Sequence, residues 1–195
     1  MLNKKIDKNK IYVDVAKLHI ACIKNGFLPK LGVKFLTLLY RCIDESDFSI
    51  LIVKYKHNQL IGFVSGTYFG SDIYKKMLYY PFDLLLVSLT IISNIKKIKK
   101  IAEILIHTLG NKRNKYPKAE LLTICVNSNY RRQGVAVELY QNLSNYFKSK
   151  SISKFIIIVG QSLKANLFYL NQGAKITDTL QVHKQENSNL FIQKL

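Results

Sequence analysis

Four stretches of the chain have a hydrophobic pattern that predicts β-strands. Residues 48–56 and 60–69 are rich in β-forming side chains and are separated by three polar residues, which is typical of a hairpin. Residues 120–126 alternate between apolar and polar positions. Residues 153–159 form a near-continuous apolar run, of the kind buried on both faces of a sheet.

Helices are predicted where apolar residues recur with a period near 3.6. After a candidate short strand at 11–13, we expect a helix over residues 14–24 and a second over 29–42, with a proline in its first turn. A third helix begins at Val135 and repeats apolar residues every four positions. A short fourth helix ends before Gly173, because glycine readily takes the left-handed conformation that closes a helix.

The turn between the strand at 120–126 and the third helix has the features of an anion site. The backbone amides at a helix N-terminus point outward unpaired, and the helix dipole adds positive potential. Gly134 lets a phosphate approach the main chain without a Cβ in the way, and Ala136 is the next smallest choice. Arg131 and Arg132 add positive charge at the mouth of the turn.

The spacing Arg131-x-x-Gly134-x-Ala136 after a strand ending at Val126 narrows the class of phosphate ligand. Walker and dinucleotide-binding loops need further glycines that this turn lacks. The pattern resembles Gln/Arg-x-x-Gly-x-Gly/Ala, the pyrophosphate-binding signature of the GNAT superfamily of acyl-CoA-dependent N-acetyltransferases. Taken alone, it also fits an ordinary strand-to-helix turn with surface arginines.

A second block is similar to the other signature of the superfamily, Asn-x-x-Ala-x-x-x-Tyr-x-x-x-Gly-Phe. The matching positions are Ala165, Tyr169 and Gly173, and the departures are Ser162 for the usual Asn and Ala174 for the usual Phe. Two signatures in the right order, separated by one helix and one strand, favour the superfamily more strongly than either alone.

The resemblance implies a single α/β domain over residues 1–195, with a twisted, mixed and largely antiparallel sheet flanked by helices. Residues 71–118 are additional to the minimal set of helices and strands of the superfamily, and we expect an inserted helical segment there. The apolar stretch at 77–95 is interrupted by a proline and an aspartate, so it falls short of the roughly 20 apolar residues that a spanning helix needs. A peripheral membrane contact through 77–100 is the alternative.

The resemblance also implies acetyl-CoA as the acetyl donor. A splay between the strands at 120–126 and 153–159 would open main-chain groups to its pantetheine arm, and its pyrophosphate would lie on the amides of the turn. The cofactor-binding residues expected on this basis are Ile124, Cys125, Val126, Arg131, Arg132, Gln133, Gly134, Val135, Ala136 and Asn166. No metal is expected, and the four histidines fall on separate segments.

Acetyl transfer to an amine needs a base for the amine proton and an acid for the departing thiolate. Glu120 lies 11 residues before Arg131 (131 − 120 = 11), where some family members carry a carboxylate base, and the match implies this role directly or through a water. Tyr169 lies where family members place a phenol near the cofactor sulfur. The structural alternative for Glu120 is a polar residue at the start of a strand. The structural alternative for Tyr169 is an aromatic residue packed on the sheet. The amine attacks the thioester directly, so Cys125 is interpreted as packing.

Thirty Lys and Arg against 12 Asp and Glu give a net charge of +18, which suits an anionic partner. Lysine at solvated positions is the simpler explanation for most of this charge. Nucleic acid is the weakest alternative, because no nucleic-acid-binding signature accompanies the charge. Three cysteines without metal-like spacing, and a start without an apolar leader, predict a reduced, cytoplasmic protein.

The expected function is N-acetylation of a primary amine on a small molecule, with an amino sugar, free or nucleotide-linked, as first candidate. Residues 26–40 look similar to a branch of the superfamily found among sugar- and polysaccharide-modifying genes. Phe27, Tyr68 and Tyr80 are candidates to stack on a sugar, with core packing as the alternative for each. The other classes are a catalytically silent CoA-binding domain that docks on a membrane or anionic surface, and an N-acetyltransferase of protein or peptide amines.

Overall fold

The computed structural model describes residues 7–24, 26–91, 115–183 and 186–195. The helices are α1, Lys8–Cys22; α2, Gly32–Glu45; α3, Ser71–Met77; α4, Pro81–Ile91; α5, Val135–Ser149; and α6, Ala165–Asn171. The strands are β1, Ser49–Lys56; β2, Gln59–Thr67; β3, Glu120–Val126; β4, Lys154–Gly160; β5, Lys175–His183; and β6, Glu186–Lys194. Short 3₁₀ helices at Leu28–Leu31 and Ser128–Tyr130 precede α2 and α5.

The strands form one mixed sheet in the order β1-β2-β3-β4-β6-β5. Within the described residues β3 and β4 pair in parallel, and the other neighbours are antiparallel. The predicted hairpin is present, since Lys56 pairs with Gln59 across the turn. His57 and Asn58 in this turn both have positive φ, which is the type I′ geometry that matches the twist of the strands. The predicted sheet is thereby confirmed.

Helices cover both faces of the sheet because successive side chains of a strand point to opposite sides. Phe63 of β2 and Cys125 of β3 are buried with α1 and α2 on one face. Val64 of β2 is buried with Leu143 and Phe147 of α5 on the other face.

The prediction of a short strand at 11–13 is wrong, because those residues lie inside α1. The Asp7 carboxylate accepts a hydrogen bond from the Asn9 amide at 3.0 Å and caps the helix, which begins six residues earlier than expected (14 − 8 = 6). Tyr12, Val15 and Ala16 then share one buried helical face. Burial of this face outweighs the β-branched character of the short run.

The first part of the inserted segment contains the helices α3 and α4, and residues 115–118 at its end are not helical. Residues 92–114 lie outside the described residues. In the described part of the chain no helix is both long and apolar enough to cross a membrane. The hairpin of β5 and β6 was not predicted. Its first strand is mostly polar at the sheet edge, and Ile176 there is 47% exposed, so the hydrophobic pattern is weak.

Candidate active site

The parallel pair β3–β4 separates soon after it begins. Glu120 pairs with Ile156 and Leu121 with Ile157, and no later residue of β3 has a partner on β4 in the described ranges. β3 stays paired with β2 as far as Val126, whereas β4 stays paired with β6. The two strands therefore diverge and leave a gap between them, which confirms the predicted splay.

The open edge of β3 presents main-chain groups to this gap. The Asn127 amide donates to the Ile61 carbonyl at 2.9 Å, so this residue faces β2. Backbone groups alternate in direction along an antiparallel strand, so the N–H and C=O groups of Ile124 and the N–H group of Val126 point the other way, into the gap. The Val126 carbonyl already accepts hydrogen bonds from Arg131 and Cys22. A ligand arm that carries amides can pair with them as a further strand would.

The turn after β3 is held by its own polar groups. The Asn127 side chain accepts a hydrogen bond from the Asn129 amide at 3.1 Å, and the Gln133 side chain donates to the Asn129 carbonyl at 3.1 Å. Arg131, Arg132 and Gln133 are exposed. Gln133 is thereby tied into the turn, while its neighbours stay open to an approaching anion.

The turn closes on α5 through two residues in the left-handed region, Arg132 at φ +58° and Gly134 at φ +78°. Alternation between left- and right-handed residues aims successive amides to one side, which forms an anion-binding concavity. An added Cβ on Gly134 would meet no atom within 4 Å, so its surroundings are open. The 15-residue helix that follows adds its N-terminal dipole to this concavity.

Arg131 connects the turn to the end of β3. Its Nε donates to the Val126 carbonyl at 3.2 Å, which fixes the side chain against the strand. The thiol of Cys22, at the end of α1, donates to the same carbonyl at 3.4 Å. The guanidinium also lowers the pKa of Cys22, after the larger effect of a hydrogen bond with Cys125.

Glu120 is the first residue of β3 and is half-buried where β3 and β4 still pair. Tyr169 of α6 is 4% exposed and contacts the rings of Tyr140 and Phe191. Burial raises the pKa of the Tyr169 phenol well above its ordinary value, with smaller contributions from Tyr140 and Cys125. The raised pKa keeps this phenol protonated at neutral pH.

A family model described as "Acetyltransferase (GNAT) family" matches residues 23–174, which is more than half of the chain. The chain belongs to the GNAT family. It is an acetyl-CoA-dependent N-acetyltransferase. Among the curated proteins compared, none matches this chain.

Solved GNAT-fold structures are similar over almost the whole chain at low identity. An N-acetyltransferase from Staphylococcus aureus Mu50 is 13% identical, covers 96% of this chain and 94% of its own, and has a TM-score of 0.63. The PaiA N-acetyltransferase of Thermoplasma acidophilum, solved with coenzyme A, is 11% identical, with 96% and 94% covered and a TM-score of 0.58. Ard1 of Thermoplasma volcanium is 15% identical, with 93% and 91% covered and a TM-score of 0.56. At these identities the likeness shows the shared fold.

Asn166 of this GNAT chain is engaged by the protein itself. Its amide nitrogen lies 2.9 Å from the Gly160 carbonyl and 2.6 Å from the Leu163 carbonyl, and its oxygen accepts from Asn189 at 3.0 Å. These contacts hold the turn at the end of β4. The structure therefore gives Asn166 a supporting role at the edge of the gap, and a direct cofactor contact stays a prediction.

A buried polar pair between α1 and α2 was not predicted. His19 Nδ1 lies 2.5 Å from the Tyr40 hydroxyl. Burial lowers the pKa of His19 to about 4, so the imidazole is neutral at pH 7. His19 stands at helical spacing from Val15 and Ala16, so the sequence indicates that it lies on the buried face of the helix. The sequence does not indicate that Tyr40 of α2 is its hydrogen-bond partner.

The aromatic residues proposed for the acceptor have structural contacts. The Tyr80 hydroxyl hydrogen-bonds with Glu45, and its ring lies under the Arg41 guanidinium at 4.0 Å. The Tyr68 hydroxyl donates to the Asp47 carbonyl at 3.1 Å. Phe27 packs against the core of α1 and α2. The packing alternative thus accounts for all three, and their stacking on a substrate stays a prediction.

Within the described ranges, no three His, Cys, Asp or Glu side chains converge as metal ligands do. The site consists of an open strand edge, an amide-lined turn and a helix N-terminus. These groups fit acetyl-CoA, because its arm carries amides and its other end carries phosphates. Arg132, Gly134, Val135 and Ala136 supply the turn, and Ile124 and Val126 supply the strand edge.

Proposed function

We propose that this GNAT domain, spanning residues 1–195, transfers the acetyl group of acetyl-CoA directly to a primary amine of a small molecule. The observation that carries the proposal is the separation of β3 from β4, which opens an edge of β3 that leads to the N-terminus of α5. The pantetheine arm lies along Ile124–Val126, and the pyrophosphate lies on the amides from Arg132 to Ala136. Direct transfer requires no protein nucleophile.

Glu120 is proposed as the base that accepts the proton of the attacking amine, directly or through a water. Its place where β3 and β4 still pair puts it at the closed end of the gap, opposite the phosphate turn. This placement supports the role, because the reactive end of the donor lies away from its phosphates. A carboxylate there also favours binding of an ammonium group before deprotonation.

Tyr169 is proposed as the acid that protonates the departing thiolate. Its burial and the neighbouring Tyr140 and Cys125 keep the phenol protonated at the pH of the reaction. A protonated hydroxyl has the proton that a departing thiolate needs. General acids and bases of this kind each contribute about 10²–10⁴-fold to rate.

An amino sugar, free or nucleotide-linked, is proposed as the acceptor. Support comes from the sequence of residues 26–40, which form the 3₁₀ helix and most of α2, and from the excess of basic residues. The basic excess suits an acceptor that carries a diphosphate. Protein or peptide amines are the alternative acceptors.

The test is a thiol-release assay with acetyl-CoA over amino sugars, nucleotide-linked amino sugars, polyamines, aminoglycosides and lysine peptides. The expected result is turnover on a sugar amine, with a lower rate in Glu120→Gln than in the wild type. Turnover on peptides or polyamines alone would reject the sugar acceptor and keep the mechanism. Binding of CoA without turnover on any amine would favour a docking role.

A further inference from the structure

Two glycines of β2 lie on the face of the sheet that α5 covers. Gly62 and Gly66 alternate with Val64, which is buried against Leu143 and Phe147 of that helix. Neither glycine has φ in the left-handed region, so the backbone conformation does not require glycine at either position. Glycine inside a strand often marks the close approach of another element. Both glycines are therefore expected to make room for α5.

Gly62 lies under the first turn of α5. A Cβ added there would lie 3.1 Å from Cγ1 of Val135, the first residue of the helix, and 3.0 Å from Cδ1 of Leu139. It would also lie 3.0 Å from the Cys125 carbonyl oxygen. Carbon atoms in ordinary van der Waals contact are about 3.5–4.0 Å apart. The neighbours of an added Cβ would therefore have to move by a few tenths of an ångström.

Gly66 makes the equivalent contacts farther along the same helix. A Cβ added there would lie 2.6 Å from Cδ1 of Leu143, 2.9 Å from Cζ of Phe147 and 3.2 Å from the Glu120 carbonyl oxygen. Each glycine thus faces two side chains of α5 and one carbonyl of β3. Leu143 lies 8 residues beyond Val135 (143 − 135 = 8), which is about 12 Å along the helix axis. The contacts of Gly66 are therefore far from the phosphate turn.

The valine above Gly62 moves less readily than the side chains above Gly66. Val135 is β-branched and 6% exposed, and valine in a helix is nearly confined to one χ1 rotamer. The atoms that face Gly66 are instead the ends of longer side chains, which rotation about further bonds can move. The other end of α5 is held on the sheet, because the Tyr146 hydroxyl donates to the Ser49 carbonyl at 3.2 Å. Added bulk at Gly62 would therefore tilt the first turn of α5 away from the sheet.

We propose that Gly62 is a positioning residue for acetyl-CoA, because its lack of a side chain sets the angle at which the first turn of α5 lies on the sheet. Gly134 immediately precedes Val135, and the Gly134 carbonyl accepts a hydrogen bond from the Glu138 amide at 3.0 Å. A tilt at Val135 thereby changes the direction of the amides from Gly134 to Ala136. The consequence for the cofactor rests on the proposed function, which places the pyrophosphate on these amides.

The first experiment follows the geometry of the turn without use of the cofactor. In amide NMR spectra of the free protein, Gly62→Ala should shift the resonances of residues 134–136. Gly66→Ala is the matched control and should shift resonances near 143–147 while it leaves those of the turn unchanged. Its added Cβ makes the closer contacts, so it is the more severe test of general destabilisation. Unshifted turn resonances in Gly62→Ala, or equal shifts of the turn in both variants, would overturn the proposal.

The second experiment measures the effect on cofactor affinity by calorimetry of CoA. The Kd should rise about tenfold or more in Gly62→Ala, because one hydrogen bond to a charged group typically accounts for a factor of about ten or more. It should stay near the wild-type value in Gly66→Ala. Shifted turn resonances in Gly62→Ala with unchanged CoA affinity would overturn the coupling to the cofactor. If the wild type did not bind CoA, the proposed function would fail, while the spectra of the free protein would still show whether Gly62 positions the turn.

Two double variants identify the side chain that transmits the effect. Gly62→Ala should raise the Kd for CoA less than about threefold in a Val135→Ala background, where Cγ1 is absent, and about tenfold in a Leu139→Ala background. Each background removes one contact of the added Cβ with the helix, so both double variants serve as the test if Gly62→Ala alone does not fold. Equal effects in the two backgrounds would overturn the role of Val135.

Discussion

At the scale of single residues, Gly134 has two separate reasons to be glycine. Its φ of +78° is a conformation that costs L-residues roughly 1–2 kcal/mol. An added Cβ there would meet no protein atom within 4 Å, so the protein itself has room for a side chain. The remaining reason is the space that a bound phosphate would need.

Two substitutions of Gly134 distinguish the need for a left-handed backbone from the need for space beside a bound phosphate. We expect Gly134→Val to abolish most CoA affinity, because a β-branched residue is poorly suited to the left-handed region and its side chain would enter the phosphate space. Gly134→Asn is the matched control, since asparagine tolerates the left-handed conformation. Calorimetry of CoA checks both folded variants. An equal loss of CoA affinity in both variants would show that space for the phosphate determines the need for glycine. Retained affinity in Gly134→Asn would show that the backbone conformation determines it. Unchanged affinity in Gly134→Val would reject the loop assignment.

The decrease in kcat should depend on pH differently when Glu120 is substituted than when Tyr169 is substituted. Glu120→Gln should lower kcat less as pH rises from about 6 to 9, because more amine is then neutral without a base. Tyr169→Phe should lower kcat by about 10²–10⁴-fold across that range, because burial keeps the wild-type phenol protonated throughout. Its CoA affinity should stay near the wild-type value. A wild-type rate in Glu120→Gln at every pH would assign the base to another group or to water.

At the scale of elements, the contact between α1 and α2 contains the His19–Tyr40 hydrogen bond at 2.5 Å. Both side chains are almost fully buried. A hydrogen bond in such a place contributes little net stability when made, but one partner left unsatisfied costs about 1–3 kcal/mol. The pair therefore specifies how the two helices pack.

The lowered pKa of His19 predicts how the free energy of unfolding depends on pH. Its pKa falls from 6.5 to about 4 on folding, so between these values the unfolded chain binds more protons than the folded one. Stability should therefore be full above about pH 6.5 and decline towards pH 4, by on the order of 3 kcal/mol from this residue.

Urea unfolding at several pH values checks this expectation. His19→Gln removes the titrating group and should flatten the decline between about pH 6.5 and 4, although its stability at pH 7 should be lower. His57→Gln is the matched control, because it changes a histidine in the β1–β2 turn and leaves the His19–Tyr40 hydrogen bond intact. The same slope in wild type and His19→Gln would contradict the assignment.

At the scale of the whole molecule, a net charge of +18 and an exposed apolar surface occur together. Leu78, Tyr79 and Phe82, where α3 meets α4, are 73%, 76% and 81% exposed. Charge alone attracts a protein to anionic surfaces weakly and reversibly, because salt screens it. Inserted apolar side chains would add attraction that salt does not remove.

Vesicle co-sedimentation distinguishes these contributions. We expect binding to anionic vesicles at low salt and release at about 0.5 M salt, where the Debye length falls to a few Å. Neutral vesicles should bind little protein under either condition. Binding that survives high salt and is lost in Phe82→Ser would contradict this expectation and indicate a docking surface.

Much of the fold follows from local pattern in the sequence. The strand Glu120–Val126, the turn with Gly134 and the helix α5 were predicted almost residue by residue, because period, glycine position and signature all act within a few residues of one another. The start of α1 was missed because capping by Asp7 and burial of one helix face outweighed the β-branched residues.

The tertiary structure decided which distant groups meet. The bond from Cys22 to the Val126 carbonyl and the bond from His19 to Tyr40 depend on helices and strands that pack from remote parts of the chain. Sequence periodicity shows which side chains face inward, but not which inward side chain of another element each will contact. The sequence by itself therefore determined the family and the turn at Gly134, and the resemblance predicted the splay of the two strands. Only packing decided which side chains of remote elements meet.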